Sequence, residues 1–578
     1  MTSRTPQFDK ALDAIFKDLK PHTRACGRCA QDFEILSDDI DFYHKLRVPP
    51  PTLCFLCRYE RRLGHRQSFK PIFYKKPCSV PGHTEKVITF YPAESTVRVY
   101  DDPYYLSDAW DPLTFGQEYD LGQSFFSQWY AFAVTVPHQT LQKDPKSVNS
   151  DYVVSGVSSK NCYYVGTPYH SENIYYGRLP VYSKDSIDVE DIDYCEWCYE
   201  CIRLARCYNC AFCYDSKDCI DSYFLFDCRN CANCFGCVNL MNKSYCFFNE
   251  QLTKEEYRKK VEALRLGKRS VLRGYQAKFD EIRKSAIRKH VDNVKVENVV
   301  GDELEECRNC FYAFRVFGGS ENIRYISNAD RIKESMDVFG STDSSLLYEA
   351  TGVPHGNDIK FSILTRTGMA LEYCIECNDC EYCFGCFGLR NKKYCIFNKR
   401  YSESDYWQIV DKIKAKMLAD GEYGEFFPLT MSPVPYNNSN ASVEFPLERE
   451  EVLSRGWYWY DEPESDVDTG SIKKVSAAEL PEEIKDVGEE ILEKAIICEE
   501  TGKPFRITKF ELDFYRKKNI PLPAVHPLER IKRRLKERKP SRLWQITCSR
   551  CGKEILTSYA LEKRFTVYCE ACYLKEVA

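Results

Sequence analysis

The sequence has no run of about 18 apolar residues, the length a helix needs to cross a bilayer, so no membrane span is expected. Histidine is scarce, with 9 in 578 residues, and no Ser/His/Asp order, P-loop or dinucleotide fingerprint occurs. Those absences leave catalysis without an evident site, and an enzyme, redox or otherwise, is less expected than a binding protein. Glycine and proline, 27 each, are at ordinary levels. The N-terminal stretch MTSRTPQFDKALDAIFKDLK reads as a charged amphipathic helix and not as a signal peptide, which makes the cytoplasm the expected location.

Cysteine is abundant, at 31 residues. In a reducing compartment paired CxxC motifs read as metal ligands before disulfides. CGRC and CFLC supply Cys26, Cys29, Cys54 and Cys57; CSRC and CEAC supply Cys548, Cys551, Cys569 and Cys572. Two CxxC turns present four thiolates to one ion, so each quartet is expected to bind Zn²⁺ structurally, with no open position. About two structural zinc sites follow, with more possible.

The two ends also resemble each other. Shifted by 472 residues, Cys26 meets Cys498, Asp41-Phe42-Tyr43 meets Asp513-Phe514-Tyr515, Cys54 meets His526, and Arg58, Arg61 and Arg62 meet Arg530, Arg533 and Arg534. In the other ribbon TSYALEKRFTVYCEACY at 557–573 matches TFYPAESTVRVYDDPYY at 89–105, where Asp101 and Tyr104 replace two ligands; Cys78 remains, with His83 nearby. Each end therefore reads as a two-ribbon module. The first ribbon is intact at the N-terminus, the second at the C-terminus, and Cys498 with His526 is a further possible metal pair.

The middle of the chain has a period of twelve. Cys195, Cys207, Cys219 and Cys231 form one small or apolar column; Cys198, Cys210, Ser222, Cys234 and Cys246 form a second; Cys201, Cys213, Leu225 and Cys237 form a third. Asn161, Asn173, Asp185, Trp197, Asn209, Asp221 and Asn233 form a corner column, and Tyr163, Tyr175, Tyr199 and Tyr223 belong to an aromatic one. Such a pattern predicts a β-solenoid with twelve-residue coils and a perimeter of about 40 Å. Its inward period of three implies very short sides and frequent corners.

A second copy follows at an offset of 149 residues. Cys195, Cys198, Cys201, Cys207, Cys210, Cys213 and Cys219 meet Ser344, Leu347, Ala350, Gly356, Ile359, Ser362 and Gly368, which reads as replaceable core. Cys228, Cys231, Cys234, Cys237 and Cys246 instead return as Cys377, Cys380, Cys383, Cys386 and Cys395. That last coil is left between a packed terminal coil and a bound metal or iron–sulfur cluster.

The fold expected is mainly β with helices, two duplicated Cys-rich solenoids flanked by zinc-ribbon modules. Its parts are an N-terminal helix at 1–20, a ribbon module at 21–145, solenoids at 150–250 and 301–400, a basic helical cap at 251–300, a helical cap and loop at 401–447, an acidic linker at 448–495 and a ribbon module at 496–578.

PPPTLCFLCRYERRL at 49–63, SDAWDPLTFGQEYD at 107–120 and CFGCFGLRNKKYCIFNKRYSESDY at 383–406 resemble an uncharacterised family of cysteine-rich zinc-ribbon repeat proteins from uncultured small-genome bacteria. The resemblance covers most of the chain. It implies zinc at Cys26, Cys29, Cys54 and Cys57 and implies no activity. The missing ligand pair in the second N-terminal ribbon departs from its pattern.

Net charge is −5 but unevenly spread: residues 530–542 hold 8 Lys/Arg against 1 acid, residues 253–290 hold 13 against 5, and residues 448–500 hold 17 acids against 6 bases. Arg58, Arg61, Arg62 and Arg66, and Arg530, Lys532, Arg533 and Arg534, are expected to attract phosphate, with the tyrosine column as a stacking platform. Nucleic-acid or ribosome binding is the leading expectation. A protein-interaction scaffold, in which the acidic segment docks a basic partner or folds back on the basic helix, is the alternative. The sequence does not fix the oligomeric state.

Overall fold

A computed structural model describes residues 3–342, 347–349, 351–354, 357–462 and 472–577. Part of the acidic segment, residues 463–471, and Ser344, Ala350 and Gly356 lie outside the described residues. The architecture is mixed α/β. Two curled ladders of parallel strands occupy the middle, and short antiparallel hairpins followed by helices occupy both ends.

The first ladder runs from Tyr152–Val154 to Cys246–Phe247 and the second from Glu297–Leu304 to Lys393–Ile396. Rungs pair in parallel with chain twelve residues on, as in Tyr163 with Tyr175, Ile187 with Tyr199, Asn357 with Met369 and Glu381 with Lys393. No helix among the described residues separates these strands, so the chain itself must turn between rungs.

Left-handed residues make the turns. Tyr194, Trp197, Glu200, Arg203 and Arg206 have φ of 48°, 56°, 49°, 52° and 52°, and each directly precedes a buried residue: Cys195, Cys198, Cys201, Leu204 and Cys207. One such residue in every three re-aims the chain, so the inward side chain recurs at three positions and not at a strand's two. A non-glycine residue pays roughly 1–2 kcal/mol for this conformation. Asn and Asp tolerate it best, which explains the corner column: Asn161, Asn173, Asp185, Asn209 and Asp221 all have positive φ. Their amides bond from coil to coil, Asn161 Nδ2 donating to Asn173 Oδ1 at 3.0 Å and Asn173 Nδ2 to Asp185 Oδ1 at 2.7 Å.

The same geometry explains the cysteines. The N–H of an inward residue can point into the core instead of joining the ladder, and a buried N–H needs a partner. The inward side chain of the preceding coil supplies it: Cys195 N donates to Ser183 Oγ at 3.0 Å, Cys198 N to Ser186 Oγ at 3.0 Å and Cys219 N to Cys207 Sγ at 3.4 Å. Those side chains in turn donate to carbonyls, Ser171 Oγ to Tyr169 O at 3.1 Å and Cys198 Sγ to Glu196 O at 3.6 Å. Serine and cysteine are small enough for the interior and carry both functions, so they exchange freely in these columns.

Both ladders end alike. The last parallel strand meets an antiparallel return, Glu250–Gln251 or Lys399–Arg400, which covers its edge. Thr253 or Ser402 then caps a helix, Lys254–Glu262 or Glu403–Ala419. Tyr257 and Tyr406 are buried against Tyr245 and Tyr394, with ring centroids 5.9 and 5.7 Å apart. The N-terminal helix Pro6–Phe16 joins the second cap, where Asp411 Oδ1 accepts the N–H of Phe8 at 2.8 Å.

Candidate metal centres and arginine clamps

Four hairpins carry the terminal modules: His22–Ala25 with Asp32–Ile35, Tyr74–Pro77 with Lys86–Thr89, Ala495–Ile497 with Pro504–Phe505, and Trp544–Thr547 with Glu554–Thr557. Three close on the same backbone bond, from Cys26 N to Gln31 O at 2.9 Å, Cys498 N to Lys503 O at 3.0 Å and Cys548 N to Lys553 O at 2.8 Å. The second half of each ribbon begins a helix. Cys54, Asp101 and His526 stand at N-caps, and Cys569 directly precedes Glu570–Val577.

Cys26, Cys29, Cys54 and Cys57 bring their sulfurs within 4.8 Å of one another, and so do Cys548, Cys551, Cys569 and Cys572. Cys29 lies 3.8 Å from Cys54, and Cys551 lies 3.8 Å from Cys569. A tetrahedron with metal–sulfur bonds of about 2.3 Å has edges of about 3.8 Å, so both quartets fit one metal ion. Backbone N–H groups prepare the thiolates: Cys54 N donates to Cys26 Sγ at 3.3 Å and Cys569 N to Cys548 Sγ at 3.2 Å. Burial raises the thiols of Cys26 and Cys548, and the backbone N–H groups of both knuckles overcome it, bringing each down to about 6.

Cys498 and His526 are brought together, with His526 N donating to Cys498 Sγ at 3.2 Å. The imidazole Nδ1 accepts the N–H of Leu528 at 3.2 Å and so caps its helix. Burial pushes this histidine down to about 4. No third His, Cys, Asp or Glu donor joins the pair among the described residues. The last-coil cysteines, Cys228, Cys231, Cys234, Cys237 and Cys246 with Cys377, Cys380, Cys383, Cys386 and Cys395, are all buried. Among the described residues they form no cluster of three converging donors, and their thiols donate to carbonyls, as Cys237 does to Phe235 O at 3.4 Å. They are buried in the ladder interior as the other ladder cysteines are.

Most of the basic residues expected to attract phosphate lie inside the molecule and not on its surface. Arg58, Arg62, Arg530 and Arg534 are 2%, 0%, 4% and 3% exposed, and Arg61 and Arg66 are also buried. Their partners are carboxylates on the ladders. Asp337 receives Arg58 Nε at 2.8 Å and Arg62 Nη1 at 3.1 Å. Asp188, its equivalent at the 149-residue offset, receives Arg530 and, at 2.8 Å, Arg534 Nη1. Arg61 bridges Glu349 at 2.7 Å and Glu425 at 2.8 Å. Arg66 reaches Ser155 of the first ladder at 3.2 Å and Thr351 of the second at 3.5 Å. Lys532 and Arg533 are exposed, each paired with a glutamate, Glu529 and Glu500.

The clamps match beyond the arginines. Tyr43 meets Tyr348 edge-on at 5.8 Å, and Tyr515 meets Tyr199 edge-on at 5.6 Å. Tyr325 donates to Asp39 Oδ2 at 3.1 Å, and Tyr176 donates to Glu511 Oε2 at 3.2 Å. The second ribbons repeat the scheme: Tyr105 donates to Glu376 at 2.7 Å and Tyr573 to Asp227 at 2.5 Å. Through these clamps the N-terminal module grips the second ladder and the C-terminal module the first, while Arg66 also reaches the first ladder and Ser541 accepts from Arg315 of the second at 2.6 Å.

The other basic and aromatic groups are used in the same inward way. Tyr175 packs on Phe510 at 4.6 Å, and Tyr199 and Tyr223 lie beside Tyr515 and Lys518 of the same helix, Lys509–Lys518, so the column is no open platform for bases. Helix Arg269–Ser285 lies on the first ladder through Tyr275 against Phe235 and Phe279 against Phe224, at 5.3 and 5.6 Å. The acidic segment folds back on this region: Arg265 pairs with Glu483, and Arg273 with Glu499 at 2.8 Å. A cavity of about 360 Å³ is lined by His65, Trp129, His138, Glu376, Phe387 and Phe427 among others. Burial holds His65 at about 4 and His138 at about 3. Both are already bonded, to Phe427 O and to Tyr91 Oη, each at 3.0 Å.

Asp188, Asp337 and Glu349 were not singled out as site residues from the sequence. A signal existed: Asp188-Val189 and Asp337-Val338 are among the few pairs shared between the copies outside the last coil. No helix among the described residues is long and apolar enough to cross a membrane. No protein-family model matches the chain, and no curated protein matches it.

Proposed function

We propose that the protein is a non-enzymatic, zinc-stabilised interaction scaffold. In this reading the two cysteine quartets hold structural zinc, the curled ladders are solenoids of twelve-residue coils, and each end is a two-ribbon module that clamps one solenoid. The observation that carries it is the duplicated clamp, Arg58 and Arg62 on Asp337 with Arg530 and Arg534 on Asp188. Zinc and arginines that hold the molecule together leave the outer ladder surface for a partner. On that surface His170, Tyr182 and Tyr194 stack in series at 5.2 and 5.0 Å, and the two tyrosines are 42% and 58% exposed. Exposed tyrosine is enriched where proteins meet proteins. Because the rings already cover one another's faces, the stack favours a protein partner over inserted bases.

The test is affinity capture from a native host with the full chain and with the Tyr182→Ala/Tyr194→Ala variant. A reproducible protein bound by the former and lost by the latter supports the reading. Binding of mixed RNA and DNA that weakens at least tenfold between about 50 and 200 mM salt, the range over which several phosphate contacts show themselves, would restore nucleic acid to the lead.

A further inference from the structure

The second N-terminal ribbon has kept one of the four cysteines of its C-terminal counterpart, yet its fold is the same. Ser79 N donates to Val99 O at 2.8 Å where Ser549 N donates to Val567 O at 2.9 Å. Val99 N donates back to Ser79 Oγ at 3.3 Å where Val567 N donates to Ser549 Oγ at 3.2 Å. A shift of 468 residues places His83 on Cys551, Asp101 on Cys569 and Tyr104 on Cys572. Cys78 takes the place of Cys548. The first turn is two residues longer there, closing from Cys78 N to Glu85 O at 3.1 Å instead of from Cys548 N to Lys553 O. Three of the four ligand positions therefore still carry a metal-binding side chain, now of three different kinds.

Those three side chains converge. Cys78 Sγ lies 3.6 Å from His83 Nδ1 and 3.7 Å from Asp101 Oδ2, and His83 Nδ1 lies 3.4 Å from Asp101 Oδ2. Zinc bonds of about 2.3 Å to sulfur and 2.0–2.2 Å to nitrogen and oxygen span tetrahedral edges of about 3.3–3.6 Å, close to this triangle. The carboxylate is held for the purpose: Asp101 Oδ1 accepts the N–H of Tyr104 at 2.9 Å, which leaves Oδ2 facing the cluster. The residue at the fourth ligand position supplies no donor, because the Tyr104 hydroxyl turns away to Ala109 O at 3.3 Å. His83 is partly exposed, so solvent reaches that side, and the Glu85 carboxylate stands 3.2 Å from His83 Nδ1 at its rim.

We propose that Cys78, His83 and Asp101 form a third metal site, which takes a zinc-like divalent cation on mixed sulfur, nitrogen and oxygen donors with its fourth position open to water or an exogenous ligand. Such a site differs in kind from the closed quartets. It has one thiolate instead of four, and its ion is reachable from solvent, so it exchanges metal faster and is stripped first by a chelator. The competing arrangement is His83 held between Asp101 and Glu85 with no metal, and metal counting separates the two.

The experiment uses the full chain purified without oxygen, equilibrated with zinc and desalted, in three forms: unaltered, His83→Ala and Asp101→Asn. The asparagine keeps an acceptor for the Tyr104 N–H, so the helix cap survives. The expected result is loss of one zinc per chain in each variant, with the remaining zinc unchanged and showing that the variants are folded. Cobalt substitution is expected to lose only the weaker, mixed-donor part of its visible spectrum. A zinc count equal in all three forms overturns the proposal. The difference is read between forms, so it stands or falls apart from the cysteine quartets: empty quartets lower all three counts together.

Discussion

Helices Phe55–Gly64 and Pro527–Leu535 sit on the two ladders through the same arginine–aspartate geometry, yet the ribbons that deliver them differ. The first begins at Cys54, inside a cysteine quartet, where a bound metal would fix its N-terminus. The second begins at His526, whose Nδ1 caps the helix and whose N–H bonds Cys498, a pair with no converging third donor among the described residues. The C-terminal module keeps its quartet in the other ribbon, at Cys548, Cys551, Cys569 and Cys572. Clamp and metal are therefore separable. A ribbon hairpin can carry its arginines to the ladder by apolar packing and a side-chain cap, and a metal ion is one way among others to hold the entrance of the helix.

The sharpest way to break the equivalence is at its aspartates. Asp337 and Asp188 are fully buried, and each faces two guanidinium groups that are themselves nearly inaccessible. Removing one partner of a buried pair strands the other charge, at a cost of about 3–5 kcal/mol. Asp337→Ala and Asp188→Ala are each expected to bring forward the first unfolding transition in denaturant by that order. The transition should belong to the N-terminal module in the first variant and to the C-terminal module in the second, as followed by hydrogen exchange. Equal loosening of both modules by either variant would show that the clamps are not independent units.

Metal removal should break the comparison more gently and in one direction. Stripping the quartets with a chelator under anaerobic conditions is expected to speed backbone exchange in Phe55–Gly64, and in Glu570–Val577 next to Cys569. Exchange in Pro527–Leu535, which starts from a histidine cap, is expected to stay within about twofold of its starting value. A cap of this kind stabilises a helix by about 1 kcal/mol and needs no ion. Acceleration of all three helices together would mean that metal holds the whole molecule and that the histidine cap is incidental.

Much of this arrangement is legible in the sequence because it is written in columns. The twelve-residue spacing, the corner asparagines and the 149- and 472-residue offsets need only counting, and they locate ladders, ribbons and caps. The quartets are legible because four thiols at two short spacings have few other uses. The role of the arginines is not legible, since Arg58 and Asp337 are 279 residues apart and a run of arginines on a helix looks the same whether it faces phosphate or a buried carboxylate. Nor does spacing reveal why the core prefers cysteine and serine. That preference depends on the left-handed residue before each inward position, which frees an N–H for the coil above.

The smallest expected effect lies in a raised carboxyl of the C-terminal clamp. Glu511, buried beside Tyr176 and Arg530, is raised to about 7, chiefly by loss of solvent. Its counterpart Asp39 accepts from Tyr325 in the same way, and the N-terminal clamp instead carries a raised carboxyl at Glu349, also near 7 from burial and drawn back by Arg61 and Arg62. For a carboxyl whose folded pKa lies above its unfolded value of about 4.3, the folded state binds the extra proton. Stability is then full below the unfolded value and falls as pH rises toward and through the folded one. Between pH 6 and 8 the decline is bounded by about 1.4 kcal/mol per pH unit and ends above the folded pKa; lower pH is avoided because it would also release metal from the thiolates. Glu511→Gln, which cannot ionise, is expected to flatten the part of this slope carried by the C-terminal clamp and leave the N-terminal part in place. The check is hydrogen exchange of the two clamp helices at pH 6, 7 and 8 after correction for intrinsic rates. If the variant keeps the slope in Pro527–Leu535, the slope belongs to another carboxyl, with Glu200, raised by burial and 3.4 Å from Arg534, the one in contact with that helix, and Glu511 is not its source.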